Sequence, residues 1–218
     1  MREGFQQVLE GLTEEVLGIS RIVGAQVRGA VKAVIEDDTE AAAAIIAADD
    51  EVDDRCLGAE DRIIEITATQ HPVARDLRLL WSLNHVLTHL ERMGDLATNI
   101  AKVVRRSEGR RASQTLYDLL QAQGNLVVRL LEASMEALEK GDLELAKRLP
   151  EMDEPIDHLH KQFFREMSRV HDEGDAEVAS MLVLASRHLE RVADNAVDIG
   201  ERVSYLLTGH HRRTDEAG

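Results

Sequence analysis

Apolar residues recur three or four positions apart through most of the chain, which is the spacing of one face of an α-helix. The breaks in this pattern fall at residues typical of helix ends: Asp37-Asp38-Thr39, which supplies an N-cap, His71-Pro72 as a breaker, Ser113 as a second N-cap, and Gly141-Asp142 as a stop followed by a start. We therefore predict six long helices, at about residues 4–36, 39–70, 73–106, 114–140, 143–170 and 176–208.

The third predicted helix is repeated in the sixth. The pattern His-Leu-Glu-Arg-x-x-Asp-x-Ala-x-x-Ile runs over residues 89–100 and returns at 188–199, an offset of 99. A shorter pattern in the second helix, Asp-x-x-Val-Asp at 49–53, returns in the fifth as Asp-x-x-Ile-Asp at 153–157, an offset of 104. Duplication of one three-helix unit accounts for both repeats, with a change of length in an intervening turn.

The composition favours the same all-α fold. Aromatic residues make up 3% of the chain and proline occurs three times, while good helix formers are abundant. We expect a tandem duplication of a three-helix bundle, residues 1–108 and 109–208, followed by a mobile C-terminal tail at 209–218. The short linker predicts that the two bundles lie end to end as an elongated rod.

The charge balance narrows the range of partners. The chain has 26 basic and 41 acidic residues, a formal net charge of −15, and this field repels nucleic acids and anionic membrane surfaces. No apolar run approaches the roughly 20 residues needed to cross a bilayer, and the first residues lack a signal-peptide core. Cys56 is the only cysteine, which excludes an intramolecular disulfide and a Cys-rich zinc site. We expect a cytoplasmic protein that neither binds nucleic acid nor spans a membrane.

Acidic residues recur four positions apart on four of the predicted helices, so each set lies on one helix face. The sets are Asp49/Asp53, Glu91/Asp95 with Asn99, Asp153/Asp157, and Glu190/Asp194 with Asp198. In an antiparallel hairpin, residues at one level are equidistant from the turn. The centres of the first two acidic pairs, positions 51 and 93, have their midpoint at Pro72, and the centres of the last two, 155 and 192, have theirs at 173.5, beside Gly174. The register therefore predicts two carboxylate pairs at one level in each half.

This arrangement favours a metal site. Like charges four residues apart destabilise a helix, and two such pairs side by side require either protonation or a cation. Oxygen donors at this density suit Mg²⁺, Mn²⁺, Fe or Ca²⁺. We therefore hypothesise a multi-carboxylate metal site in each half, the second weaker because Pro150 and Pro155 either kink the helix and shift Asp153 and Asp157 out of line or make the helix restart there. The alternative that the sequence leaves open is a solvated acidic face without metal.

Several other residues are interpreted as structural or incidental. His89 and His188 point about 160° away from the neighbouring glutamates around the helix, which favours packing or hydrogen bonding over metal ligation. The Asp157-x-x-His160 pair and the His210-His211 pair have no partner in the other half and are interpreted as incidental. Trp81 is assigned to the apolar core.

With these motifs in place, the chain resembles the PhoU family of bacterial phosphate-specific transport. The resemblance rests on His-Pro-Val-Ala-Arg-Asp-Leu-Arg at residues 71–78 and on Leu-Glu-Arg-Met-Gly-Asp-Leu-Ala-Thr-Asn-Ile at 90–100, repeated in altered form at 189–199. It covers essentially the whole chain. It implies a PhoU-like all-α fold and acidic motifs that hold metal clusters at the positions given above, with Fe, Mn, Mg or Zn as the bound ion.

The same resemblance implies a regulatory role. The partners would be the ATPase subunit of the phosphate ABC transporter and the sensor histidine kinase of the phosphate two-component system. The protein would suppress phosphate uptake and phosphate-starvation signalling when phosphate is plentiful. A homodimer is the default expectation. The chain departs from the family at Leu96 and Asn195, where histidine is frequent, and at Asp198, where asparagine is frequent, so the identity of the metal stays open.

Three other functions stay open. A carboxylate-bridged metal oxidoreductase or iron-storage protein also carries acidic residues on a helical bundle, but such proteins use Glu-x-x-His pairs and this sequence contains none. The others are a helical rod without metal and a regulator of a different phosphate transporter class. The absence of a nucleophile motif and of a glycine-rich phosphate loop favours a non-enzymatic adaptor over an enzyme.

Overall fold

The computed structural model of the chain describes residues 2–107, 109–170 and 173–210. Within these ranges the fold is all-α, as predicted, with seven helices and no β-strand. The helices are α1 (Arg2–Glu36), α2 (Thr39–Ala47), α3 (Asp49–Gln70), α4 (Arg75–Ser107), α5 (Gln114–Lys140), α6 (Leu143–Met167) and α7 (Glu173–Thr208). None of the described helices combines the length and the apolar character that a bilayer span requires. The predicted tail from His211 onward lies outside the described residues.

Short polar residues begin the helices where the sequence predicts. The carboxylate of Asp38 accepts hydrogen bonds from the amides of Glu40 and Ala41 at the start of α2, and that of Asp142 does the same at the start of α6. Gly141 ends α5 with a left-handed φ of 63°, a conformation that is cheap for a residue without Cβ. These boundaries are confirmed, because each cap supplies partners that the helix end lacks.

The second predicted helix is divided in two at Ala48. The backbone of this residue departs from helical geometry, with φ −90° and ψ 6°, and its carbonyl accepts a hydrogen bond from Gln26 Nε2 of α1 at 3.2 Å. A side chain that enters the helical ladder bends or ends a helix, so the chain restarts as α3. In contrast, α6 runs unbroken through Pro150 and Pro155, so of the two expectations the restart of the helix around Asp153 is wrong.

The two units, α1 to α4, in which α2 and α3 are the divided second helix, and α5 to α7, pack side by side. Helix α4 lies along α7 and α1 lies along α5, so one hydrophobic core runs through both units. On α4 the neighbouring positions Val86 and Leu87, and again Ile100 and Ala101, are both buried, so the apolar arc is too wide to be covered from one side. The end-to-end rod is therefore wrong, because α4 and α1 of the first unit pack along α7 and α5 of the second.

Trp81 is not a core residue. Its side chain is 56% exposed on α4 and contacts the ring of His85 edge-on, with 5.1 Å between the ring centroids. Its neighbours Leu80 and Leu83 are buried, so Trp81 lies just beyond the edge of the apolar stripe to which the sequence pattern assigned it. The assignment to the core is wrong.

Replacing Gly200 with alanine is expected to destabilise the protein by about 1 kcal/mol, net of the gain in helix propensity. A Cβ at this position of α7 would overlap Cδ1 of Leu149 and lie 3.2 Å from the carbonyl oxygen of Ala146, so α6 would have to move away. Gly11→Ala is the matched control, because its Cβ would meet nothing within 4 Å. Urea unfolding should show a lower free energy of unfolding for Gly200→Ala and a slightly higher one for Gly11→Ala. Equal changes in the two variants would contradict the close packing of α7 against α6.

Candidate metal centres

The first unit brings four carboxylates together across α3 and α4. Thr98 Oγ1 of α4 donates a hydrogen bond to Asp49 Oδ1 of α3 at 2.9 Å, which sets the relative level of the two helices. Burial raises the pKa of Asp53, and the charge of Asp49 raises it further. The carboxylates of Glu91 and Asp95 on α4 act in the same direction. The structure therefore places the acidic residues of α3 and α4 at one level, as the hairpin register predicts.

A small cavity of about 110 Å³ opens beside these carboxylates. It is lined by Asp53, Cys56, Leu57, Glu60 and Glu91. Burial, followed by the charges of Glu91 and Asp53, raises the pKa of the Cys56 thiol to about 12. The group is therefore a protonated thiol at neutral pH, not a thiolate that could serve as a ready metal ligand.

The second unit repeats the arrangement on α6 and α7. Burial raises the pKa of Asp153 to about 6, with further contributions from the charge of Asp157 on the same helix. Asp194 and Glu190 on α7 also raise it. Within the described residues, Oδ1 of Asp153 is buried and has no hydrogen-bond partner. A buried carboxylate oxygen without a donor is costly unless a proton or a cation reaches it.

Arg187 places a positive charge inside the second acidic group. Its guanidinium forms an ion pair with Glu190, one turn further along α7. Burial raises the pKa of Asp194, and the charge of Arg187 opposes that rise. The equivalent position in the first unit, at the offset of 99, is the uncharged Thr88. Arg187 therefore offsets part of the negative charge of the second group, in which the pKa values of Asp153, Glu190 and Asp194 are nevertheless raised.

The last residues of the predicted acidic stripes lie at the edges of these groups. Asn99 Oδ1 accepts a hydrogen bond from Lys102 Nζ at 3.2 Å. The pKa of Asp194, raised mainly by burial, is raised further by the charge of Asp198. Oδ2 of Asp198 also lies 3.9 Å from His89 Nδ1 of the first unit. Asn99 is thus engaged by a neighbouring lysine, and Asp198 lies at the boundary between the units.

The contact between α4 and α7 gives its two equivalent histidines different partners. His89 Nδ1 lies 2.8 Å from Oδ1 of Asn195. The offset of 99 relates His89 to His188 and Leu96 to Asn195, so the counterpart of this contact is His188 with Leu96. Leucine offers no hydrogen bond, and Nδ1 of His188 is buried without a partner in the described part of the chain. His89 therefore forms the predicted hydrogen bond, whereas His188 only packs.

The ring of His188 is expected to stay neutral to a lower pH than an ordinary histidine. Burial, followed by the charge of Arg191, lowers its pKa below the usual 6.5. The unfolded chain takes up this proton near pH 6.5, so the group costs stability as the pH falls from there through the folded pKa. An NMR titration of metal-stripped protein, with His188→Gln for assignment, should give a midpoint below 6.5, and a midpoint at or above it would contradict the burial.

His160 has a counterpart in the first unit. It occupies the position of Cys56, at the same offset of 104 that relates the two aspartate pairs. Its Nδ1 lies 2.8 Å from Oγ of Ser186, just as Cys56 Sγ lies 3.8 Å from the carbonyl oxygen of Leu87, the counterpart of Ser186. Ser186 Oγ in turn donates to Oε1 of Gln123 at 2.7 Å. The interpretation of His160 as incidental is wrong, because it joins α6 to α7 through a buried hydrogen-bond network.

The donor chemistry of both acidic groups fits a hard metal ion, although the side chains as placed do not converge on one point. Throughout the described ranges, no three His, Cys, Asp or Glu side chains are arranged so that they could hold one ion. Neighbouring carboxylates do lie close enough to add to the raised pKa of Asp53 in the first unit and of Asp153 in the second, and among the described residues Asp153 Oδ1 has no donor. Metal binding therefore requires rotation of these side chains toward the groove between each pair of helices.

A PhoU domain profile matches the chain twice, over residues 16–104 and 120–203. The chain belongs to the PhoU family. A relative from Clostridium acetobutylicum, a phosphate-specific transport system accessory protein PhoU homolog, is 30% identical over 211 residues, which cover 95% of this chain and 96% of the relative. The match of each half to one PhoU domain confirms the tandem duplication.

Crystal structures of two PhoU proteins share the fold. The PhoU of Pseudomonas aeruginosa gives a TM-score of 0.88 at 28% identity and covers 94% of this chain and 100% of that one. The phosphate transport system regulatory protein PhoU from Streptococcus pneumoniae gives 0.86 at 26% identity, with 96% and 99% covered. The resemblance to the PhoU family drawn from the sequence motifs is therefore confirmed.

Proposed function

We propose that this chain is a cytoplasmic accessory protein of a phosphate transport system that suppresses phosphate uptake and phosphate-starvation signalling when phosphate is plentiful. In this role it is an adaptor between the ATPase subunit of the phosphate ABC transporter and the sensor histidine kinase, and it catalyses no reaction. The observation that carries the proposal is the match of both halves to proteins named as phosphate transport accessory or regulatory PhoU.

The dimensions of the molecule support an adaptor. The four helices at the centre, α1, α4, α5 and α7, contain 35, 33, 27 and 36 residues. At 1.5 Å per residue they are about 40 to 54 Å long, which provides extended faces for two partners at once. The net charge of −15 also steers basic partner surfaces toward the molecule.

The proposal includes one metal site in each unit, with Fe, Mn, Mg or Zn as the candidate ions. A bound ion would supply the positive charge that relieves carboxylate repulsion, and it would tie α3 to α4 and α6 to α7. The raised pKa values of Asp53 and Asp153 support a positive ion beside these two carboxylates. The ligands would be Asp49, Asp53, Glu91 and Asp95 in the first unit and Asp153, Asp157, Glu190 and Asp194 in the second, with Asn99 and Asp198 at their edges.

Binding to purified partners tests the adaptor role. The tagged protein is offered the transporter ATPase subunit and, separately, the cytoplasmic part of the sensor kinase from the same organism. We expect both to bind, and deletion of the gene should leave a phosphate-starvation reporter active at high phosphate. Binding only to a subunit of another phosphate transporter class would assign the protein to that class. Sustained oxygen consumption by the iron-loaded protein would instead favour an oxidoreductase.

Elemental analysis joined to anomalous diffraction tests the metal sites. Protein purified from metal-replete cells is expected to contain an ion whose anomalous peak lies between α3 and α4. Glu91→Ala combined with Asp95→Ala should remove the ion of the first unit. A wild-type protein without metal under these conditions would support the helical rod without metal. Sedimentation equilibrium of the same sample tests whether the protein is a homodimer, as we expect.

A further inference from the structure

The exposed large apolar side chains are concentrated on one hairpin. In the described part of the chain, eight such side chains are exposed, and five of them fall between residues 57 and 81, on α3, on α4 or in the turn between them. These five are Leu57, Ile64, Val73, Leu77 and Trp81. Scattered exposed apolar residues are normal on a protein surface, but a local concentration marks a contact site.

The outer face of α3 alternates acidic and apolar residues. Positions 50, 54, 57, 61 and 64 follow the spacing of one helix face, and all five side chains are exposed. They are Asp50, Asp54, Leu57, Asp61 and Ile64. The opposite face of α3 is buried, so this stripe points away from the core. We call it the outer stripe of α3.

Among the residues that the structure describes, the acidic side chains of the outer stripe form no ion pair. Helix α3 contains eight acidic residues and two arginines. Arg55 pairs with Glu51, and Arg62 pairs with Glu15 of α1. Neither arginine forms an ion pair with a residue of the outer stripe, and within the described ranges no other ion pair reaches it. The stripe therefore presents negative charge that a partner can neutralise.

Leu77 and Trp81 of α4 lie beside the outer stripe of α3. The contact of Cys56 with Leu87 places residue 64 at the level of residues 79 and 80 across the hairpin, so Ile64 lies close to this pair along the axis. The side chains of Leu57 and Glu91 line one cavity and are both exposed, so they mark a solvent-facing side that α3 and α4 share. Positions 77 and 81 lie within about a quarter turn of position 91 on α4, so they border that open side.

We propose that the outer stripe of α3, together with Leu77 and Trp81 of α4, is a docking surface for a basic amphipathic helix of a partner protein. The apolar face of that helix would cover Leu57, Ile64 and Trp81, and its flanking Lys and Arg side chains would pair with Asp54 and Asp61. A second copy of this chain is a poor occupant because it would bring the same negative charge. The inference rests on the adaptor role, since a docking surface needs a partner.

Trp81 is the only tryptophan in the chain, so its fluorescence reports directly on this surface. The probe is a synthetic helical peptide of about 18 residues with Leu at i, i+3, i+4 and i+7 and Lys elsewhere. We expect a saturable blue shift of the emission on adding this peptide, and weaker binding at high salt. A peptide of the same composition in scrambled order, and one with Lys replaced by Glu, should bind at least about tenfold more weakly.

Variants at exposed positions locate the binding site of the fluorescently labelled peptide. Leu57→Ser with Ile64→Ser, and separately Asp54→Asn with Asp61→Asn, should each weaken binding by about tenfold or more, as measured by anisotropy. The matched control is Phe164→Ser with Leu184→Ser, which removes two exposed apolar side chains from the second unit and should leave affinity unchanged. Circular dichroism checks that each variant is folded.

Equal binding of the scrambled peptide would overturn the proposal, and so would unchanged affinity for the peptide in both pairs of variants. A wild-type dimer that dissociates in these variants would also overturn it, because the surface would then be a contact between two copies of this chain. The same variants in the ATPase and kinase binding assays separate this inference from the proposed function. Loss of peptide binding with intact partner binding would refute the docking surface alone. Failure of the wild type to bind either partner would refute the adaptor role.

Discussion

Metal-stripped protein is expected to gain about 4 kcal/mol of unfolding free energy when a suitable divalent ion is added at about a thousand times its dissociation constant. The ion stabilises only the folded state, because unfolding separates the carboxylates of α3 from those of α4. Both units should contribute, since Asp53 lies among like charges in the first unit and the pKa values of Asp153, Glu190 and Asp194 are raised in the second despite Arg187. Urea unfolding followed by circular dichroism, with Mn²⁺, Fe²⁺, Mg²⁺ and Zn²⁺ compared, measures the gain.

Glu91→Ala combined with Asp95→Ala should remove the first unit's share of this gain. The matched control is Asp50→Ala with Asp54→Ala, which removes the same charge at the same spacing from the exposed face of α3. If the control loses as much of the gain as the test variant, the ion acts through the general negative field. If neither variant loses it, the ion binds elsewhere and the proposed ligands are wrong.

The hairpin register could be predicted from the sequence because it depends only on the distance of each residue from a recognisable turn. His71-Pro72 marks the first turn, and the Thr98–Asp49 hydrogen bond shows the resulting level. The helix starts at Asp38 and Asp142 could be predicted for a similar reason, since an N-cap acts on backbone amides two and three residues away. Both features are local, and local chemistry is visible in a sequence.

The packing of the two units could not be predicted, because a helix's apolar pattern shows that it is buried but not by which helix. Val86 and Leu87 are both buried, which the pattern of α4 indicates, yet only the three-dimensional arrangement shows that α7 covers this helix. The different partners of His89 and His188 depend on the same contact between units. The repeat relates Leu96 to Asn195, but it does not reveal that these positions face the histidines.

The net charge of the second acidic group could not be predicted from the sequence either. Arg187 lies three residues before Glu190, a spacing that is common on exposed helix faces and carries no special meaning in a sequence. The ion pair of Arg187 with Glu190, close to the half-buried Asp153, shows that it partly neutralises this site. The first unit has the uncharged Thr88 at the equivalent position. Two halves related by duplication can therefore differ in how strongly they bind a cation.

Asp153→Asn is expected to stabilise the metal-free protein by about 1 to 2 kcal/mol at neutral pH and to have almost no effect near pH 4. The pKa of Asp153 is raised from 3.8 to about 6 in the folded protein, mainly by burial. Below 3.8 the carboxyl is protonated in both states and contributes nothing. As the pH rises from 3.8 through 6, the unfolded chain ionises first, so the folded state loses stability, and the loss is complete above 6. The full shift would correspond to about 3 kcal/mol, which we reduce because the side chain is only partly buried.

A metal ion should reverse the sign of this substitution. Asparagine matches the shape of aspartate but lacks its charge, so it removes the repulsion in the metal-free protein and weakens an oxygen ligand in the metal-bound protein. The wild type and Asp153→Asn are unfolded in urea at about pH 4 and pH 7, each with chelator and with metal. This gives the difference in unfolding free energy between the two proteins under four conditions. Asp118→Asn, on the exposed face of α5, is the matched control and should change stability little in all four. A destabilising effect of Asp153→Asn in chelator at neutral pH would show that its carboxylate is satisfied in the folded state. The charge repulsion on which the second metal site depends would then be absent.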